Sequence, residues 1–277
     1  MEYKNIEHLS ELQNAEFHVF KEFLDICQKH NLHYFLCGGT LLGAVRHKGF
    51  IPWDDDMDIA MMRDDYEKFK AVASKELPQG MYLSNFDAPG HIWLVPRVID
   101  NNMRFYLNNA TKKKEIGAWL DILVIDGYPD SKIKRLIFRP IYLFARMLYQ
   151  FSNFSQSVNI NKKRPLLQMA VIKFAQYSHI EKIINPVTAG HFYEWVCKLN
   201  KCKNCKNWGM YSDDKELGLG AIFPIETFGT PAILTFEDVQ APTFEKYQEY
   251  LTYWYGDYMT PPPVNERSQH NVTKIED

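Results

Sequence analysis

Between Tyr34 and Met61 the chain reads YFLCGGTLLGAVRHKGFIPWDDDMDIAM, and nothing else in its 277 residues restricts the fold as tightly. Tyr34-Phe35-Leu36-Cys37 is an apolar run with the length of a short buried strand. Gly38 and Gly39 follow, and Thr40 opens a helical segment through Leu41, Leu42, Gly43, Ala44 and Val45. A strand that turns through glycines into a helix start leaves backbone N–H groups where a phosphate can sit. Arg46, His47 and Lys48 add positive charge just beyond it. After a turn at Pro52 come four aspartates in five residues, Asp54, Asp55, Asp56 and Asp58. The alternation Asp56-Met57-Asp58-Ile59 predicts a strand with one wet face, so Asp56 and Asp58 point to one side and can share a divalent cation. A phosphate cradle followed by paired carboxylates is what metal-assisted phosphoryl transfer requires.

Two simpler readings compete for the aspartates. Asp54, Asp56 and Asp58 imitate the opening of a calcium-binding loop, but such a loop needs Gly next and Glu at its twelfth position, where Ile59 and Asp65 stand. A solvated acidic turn is the other, and so many adjacent carboxylates repel one another unless a cation or basic ligand is present.

Around this stretch the chain reads as an ordinary globular enzyme, long enough to bury a sizeable core. Its net charge of −2 gives no reason to expect nucleic acid. The start, Met1-Glu2-Tyr3-Lys4, is polar rather than leader-like, no run of about eighteen apolar residues occurs, and five cysteines is an odd number. A cytoplasmic protein with reduced cysteines is the expectation. Leu9, Leu12, Val19, Phe20, Phe23, Leu24 and Cys27 predict a core-facing helix to about Lys29, and Asp64 and Asp65 open a second that stops near Pro78. Trp93 to Ile99 reads as a strand, Asp100-Asn101-Asn102 as a turn, and Met103 to Leu107 as the returning hairpin strand. Arg97 either reaches a phosphate or serves as an ion-pair partner. In Ala118 to Gly127, Asp121 lies within a strand too apolar to bury a carboxylate unpaired, so it is a third metal ligand, a general base, or the partner of an arginine. Asp126, at that strand's end, reads as a turn-former.

From Ser131 to Ile180 there are nine basic residues and no Asp or Glu. At 100° per residue Lys132, Arg135, Arg139 and Arg146 fall within an arc of about 60° on one helix, with a kink expected at Pro140. Leu136, Ile137, Leu143, Phe144, Met147, Leu148 and Phe151 border that arc. Such a stripe suits a helix lying in a membrane surface, so residues 132–173 are expected to dock peripherally on the inner face of the cell membrane. A helix packed on the core with its arginines in water is the alternative. His191 with Cys197, Cys202 and Cys205 offers zinc-type ligands at a non-standard spacing, although Cys197 also fits as a small core residue on a helix. Near the C-terminus a helix through Tyr247, Leu251 and Trp254 stops at Gly256, followed by Asp257-Tyr258-Met259 and three prolines. The stretch from Val272 reads as a disordered tail.

The segment Gly38 to Ile59, taken with Asp121 and Tyr255-Gly256-Asp257-Tyr258, resembles the LicD family, phosphocholine transferases related to fukutin and fukutin-related protein. The resemblance implies a nucleotidyltransferase-like α/β fold with a mixed central sheet, flanking helices and a basic helical insertion. The expected division is a catalytic core over 1–130, the insertion over 131–190, and a C-terminal part over 191–271 that completes the catalytic domain. It further implies transfer of phosphocholine from CDP-choline to a lipid-linked cell-surface glycan of teichoic acid or lipopolysaccharide type, with Mg²⁺ (one or two ions, or Mn²⁺) as cofactor. Asp54, Asp56, Asp58 and Asp121 would be the metal and catalytic acids. Gly38, Gly39, Thr40, Arg46, His47, Lys48 and Arg97 would bind the nucleotide phosphates, and Asp257, Arg267 and His270 would contact substrate. A quaternary ammonium is recognised by aromatic faces, and Trp53, Trp119 and Tyr255 are the candidates. Transfer of another phospho-alditol, a glycosyltransferase holding a nucleotide sugar with Asp56 and Asp58, and a non-catalytic membrane-bound scaffold are the rivals.

Overall fold

A computed structural model describes residues 6–107, 114–157, 166–212, 221–267 and 272–275. Helix α1 (Glu11–His30) opens at Ser10, whose hydroxyl accepts from the Gln13 N–H (3.1 Å) while the Gln13 side chain accepts from the Ser10 N–H (3.1 Å), a reciprocal cap. It leads to β1 (Phe35–Leu36), α2 (Gly38–Arg46), β2 (Asp58–Met62), α3 (Arg63–Glu76), β3 (Met81–Ser84), β4 (Arg97–Leu107) and β5 (Lys114–Tyr128). Then follow α4 (Lys132–Ser152), α5 (Phe154–Ser157), α6 (Leu166–Ser178) and α7 (Pro186–Cys197). The chain finishes with β6 (Asn207–Met210), β7 (Ala221–Pro224), β8 (Ala232–Phe236), β9 (Val239–Thr243), α8 (Tyr247–Tyr255) and β10 (Val272–Lys274).

The fold is mixed α/β, with a central mixed sheet flanked by helices. β5 is its axis: it runs parallel to β2 and antiparallel to β4 and β6, and β1, β3, β7 and β10 extend the sheet. The main core includes Phe17, Phe20 and Phe23 of α1 and Trp119, Leu120 and Ile122 of β5. A second apolar cluster joins Phe138, Tyr142, Ala145 and Tyr149 of α4 to Tyr193, Val196 and Cys197 of α7. Among the described residues no helix is long and apolar enough to cross a membrane.

Three expectations need correcting. Asp100 to Asn102 is not a hairpin turn. Asp100 is buried, its carboxylate accepts the Asn102 N–H (2.8 Å), and the register shift there is a bulge inside one continuous β4, whose outer partner is β3. Asp126 is no turn-former: it lies within β5, 3% exposed, and takes two hydrogen bonds from Arg63 (3.0 and 2.6 Å). Residues 272–274 of the expected disordered tail form a strand instead: Val272 to Lys274 pair antiparallel with Phe105 to Leu107, giving the edge of β4 its backbone partners.

Candidate active site

The parallel register of β2 and β5 pairs Asp58 with Asp121, and the antiparallel register of β4 and β5 pairs Asp121 with Arg97. Residues paired across neighbouring strands project to the same face, so the three side chains stand in one row across the sheet. Arg97 grips Asp121 through its Nε on one carboxylate oxygen and its Nη2 on the other (2.8 Å). The guanidinium lies over the rings of Trp93 (4.4 Å) and Trp119 (5.2 Å). Of the alternatives open for Arg97 and Asp121, this structure adopts the ion pair.

Asp58 is held by α2. Its backbone N–H donates to the Thr40 hydroxyl (2.8 Å), and Thr40 is buried. The two glycines make room for carboxylates: a Cβ on Gly38 would run into the Asp58 carboxylate, and one on Gly39 into that of Asp54. Gly38 also has φ near +53°, a region L side chains avoid. The positive end of α2 therefore faces Asp58 and Asp54, a favourable arrangement for anions. Of the expected phosphate cradle, Thr40 is accordingly a positioning group for Asp58, and the Gly38 N–H donates to the Tyr250 hydroxyl (3.1 Å).

A cleft of about 640 Å³ opens over this end of the helix, lined by Asp54, Asp56 and Asp58 and by Arg46, Trp53, Tyr255, Asp257, Tyr258 and Arg267. Arg46 is tied to the Tyr258 carbonyl (3.0 Å), so the segment after α8 forms one wall. Arg267 lies over the Trp53 ring at 3.9 Å. A smaller cavity of about 230 Å³ is lined by Gly38, Asp58, Asp121, Leu123, Trp254 and Tyr255, so Asp58 and Tyr255 stand where the two spaces meet. His47 packs edge-on against Trp53 (6.0 Å), and burial with the adjacent Arg46 lowers its pKa. Lys48 is exposed on a turn with φ 65°, its carbonyl accepting from Glu237, and is not among the residues lining either cavity. His270 lies outside the described residues.

Two further expectations fail, Trp119 as a choline face and Asp121 as a third metal ligand, and the open zinc alternative fails with them. Trp119 is 1% exposed, roofed by Arg97, and has no face to offer an ammonium group. The zinc ligands do not assemble: His191 is paired with Asp87 (2.8 Å), Cys197 is buried in the cluster of α4 and α7, and the Cys202 thiol points at the Ile125 carbonyl. Among the described residues no three His, Cys, Asp or Glu side chains converge as a metal-holding cluster, and Asp121 does not stand with Asp56 and Asp58 as a third ligand.

Sequence reasoning missed Glu16. It sits on α1 with no exposed surface and with neither carboxyl oxygen hydrogen-bonded. One turn earlier Gln13 donates to the carbonyls of Ile51 (3.2 Å) and Asp54 (2.9 Å), clamping the helix onto the acidic loop. Burial, and after it the charges of Asp56, Asp55, Asp54 and Asp121, push the Glu16 pKa well above the usual range. The folded chain thus keeps a proton that the unfolded chain releases above about pH 4.3. Stability is lost as pH rises through that window, by up to about 1.4 kcal/mol per unit until Glu16 ionises. Glu16→Gln is expected to flatten this slope, so that the melting temperatures of variant and parent diverge steadily from pH 5 upward. Parallel curves would mean that Glu16 is ionised in the folded state.

Comparison with known proteins fits this arrangement. Residues 31–134 match the LicD/FKTN/FKRP nucleotidyltransferase domain. The chain carries a LicD-family domain. That domain spans β1 through β5, so it contains the strands bearing Asp58 and Asp121. The lipopolysaccharide cholinephosphotransferase LicD of Haemophilus influenzae is 27% identical over 95% of this chain and 96% of its own length. An uncharacterized protein of Rickettsia prowazekii is 47% identical over 41% of this chain and 40% of its own. The ribitol 5-phosphate transferase FKRP of mouse is 28% identical over 44% of this chain and 26% of its own. The LicD and FKRP relatives are both phosphotransferases, and the similarity supports a phosphotransferase here.

Proposed function

We propose that the chain transfers phosphocholine from CDP-choline to a hydroxyl of a lipid-linked cell-surface glycan precursor, releasing CMP. One observation carries the reading: Asp58 and Asp121 stand side by side on one face, at a helix N-terminus, where a large arginine-lined cleft meets a smaller cavity. The large cleft has the size of a small-molecule site. Its acids supply hard oxygen donors, which suit Mg²⁺ or Mn²⁺. Magnesium is usually held by one or two carboxylates, with water and substrate phosphate completing the shell, so a protein cluster of three ligands is not required. Asp56 and Asp58 would hold it, with Asp54 beside them. When bound, the ion offsets negative charge on the diphosphate as the bond to CMP breaks.

The remaining roles belong to the chain itself. Arg46 and Arg267 bind the diphosphate from the opposite wall. Arg267 covers the Trp53 ring, so the aromatic face open to the choline ammonium is that of the half-exposed Tyr255, which lines both cavities. The acceptor hydroxyl enters from the smaller cavity and attacks the phosphorus bearing choline. Its proton passes to Asp121, which Arg97 holds in position.

The direct test incubates the protein with Mg²⁺, an acceptor glycolipid, and CDP-choline, CDP-ribitol or a UDP-sugar. CMP release from CDP-choline is expected, together with a melting-temperature rise worth about 2.7 kcal/mol at a hundredfold excess over Kd. CMP released from CDP-ribitol alone would reassign the donor. UDP release without CMP would replace the reading with glycosyl transfer.

A further inference from the structure

Helix α4 turns one face inward and leaves the opposite one apolar. Phe138, Tyr142, Ala145 and Tyr149 are buried, with the Tyr142 hydroxyl donating to the Tyr211 carbonyl and that of Tyr149 to the His91 carbonyl. Across the helix, Leu136 is 77% exposed, Ile133 73%, Ile137 58% and Phe144 53%. In α6, Phe174 is 65% and Tyr177 79% exposed. Isolated exposed apolar residues are ordinary, but a run along one helix face marks a docking surface.

We propose that this face of α4 docks the protein on an anionic lipid surface. At 100° per residue, Leu136, Met147, Ile133, Phe144 and Ile137 span an arc of about 100°, with Lys132 and Arg139 along one edge and Lys134 beyond the other. All three cations are exposed, as is Lys173 on α6, and no acidic residue lies between Ser131 and Ile180. An apolar face rimmed by cations matches the boundary between lipid headgroups and acyl chains. A second copy is a poor occupant, because self-pairing would bring two sets of cations together without a counter-charge. Among the described residues no helix is long and apolar enough to cross a membrane, and the proposed contact is a peripheral one. The structure also redraws the basic stripe legible in the sequence. Arg135 is committed to the Pro129 carbonyl (2.6 Å) and the Tyr128 ring, and Arg146 to the Tyr142 hydroxyl (3.3 Å). The lipid-facing cations of α4 are Lys132, Lys134 and Arg139.

This inference does not depend on the transfer chemistry, and its test needs no substrate. The full chain is floated with phosphatidylcholine vesicles, with and without phosphatidylglycerol, and its oligomeric state is measured by sedimentation. Binding is expected only to the anionic vesicles. At about 1 kcal/mol per cation near the surface, the triple reversal Lys132→Glu, Lys134→Glu, Arg139→Glu lowers the partition coefficient more than tenfold. Leu136→Ser with Phe144→Ser lowers it as well, and melting temperatures stay near the parent value because these side chains are exposed. Three results would overturn the proposal: no binding to anionic vesicles, binding that survives both variants, or a dimer that the Leu136→Ser, Phe144→Ser pair dissociates.

Discussion

Asp58→Asn is expected to lower CMP release by about a hundred- to a thousandfold while the protein stays folded. The backbone N–H of residue 58 keeps its bond to Thr40, and the amide has the volume of the carboxylate it replaces. Stability changes by two opposed terms. Losing a negative charge at the α2 N-terminus costs about 0.3–1 kcal/mol, and relieving repulsion from the neighbouring aspartates returns part of it. The melting temperature without Mg²⁺ therefore moves little, whereas the Mg²⁺-dependent rise seen with CDP-choline disappears. Asp121→Asn is a less clean experiment, because it strips the partner from an arginine enclosed by Trp93 and Trp119 and damages the fold together with the site. An Asp58→Asn protein that turns over within tenfold of the parent would remove the cation from this chemistry.

The acids were readable from the chain because their spacing is local, and their grouping was not. Alternation put Asp56 and Asp58 on one side, although β2 begins only at Asp58, where the carbonyl of the buried Met57 accepts the Asp121 N–H (2.9 Å). That Asp121 meets Arg97 depends on the β4 and β5 register, which a bulge at Asp100 sets and periodicity does not reveal. Helices α1, α3 and α8 follow their apolar repeats, because the faces they bury are continuous. Glu16 did leave a signal. It falls one turn from Leu12 and one from Phe20, a charged residue on the apolar stripe of a helix otherwise read as plain core. The apolar outer face of α4 was legible only in part. Composition showed many apolar positions, but which of them α7 would cover is a tertiary fact.

Arg63→Met is expected to have the largest effect on stability, about 3–5 kcal/mol, because it leaves buried carboxylates without their counter-ion. Arg63 begins α3 directly after β2 and reaches Asp126 on β5 through two bonds and Glu194 on α7 through one (3.0 Å). Asp126 is five residues from Asp121, an odd number, so it projects from the opposite face of the same strand. The arginine thus bolts α3 and α7 to the β2–β5 pair from behind, and that pair sets the Asp58–Asp121 register in front. Burial already pushes the Asp126 pKa up, with Arg63 pulling against it. Without Arg63 the folded chain is expected to hold that proton more tightly, so the variant's deficit grows as pH rises above the ordinary aspartate range and shrinks below it. Glu194 retains Lys198 at 3.2 Å, which concentrates the loss on Asp126. Arg63→Met combined with Asp126→Asn should therefore recover most of the stability, since a pair removed together leaves no buried charge. Urea unfolding of the four proteins in this cycle at pH 5 and pH 8 measures both statements. A double variant as unstable as Arg63→Met alone would show that the arginine matters for its packing and not for its charge.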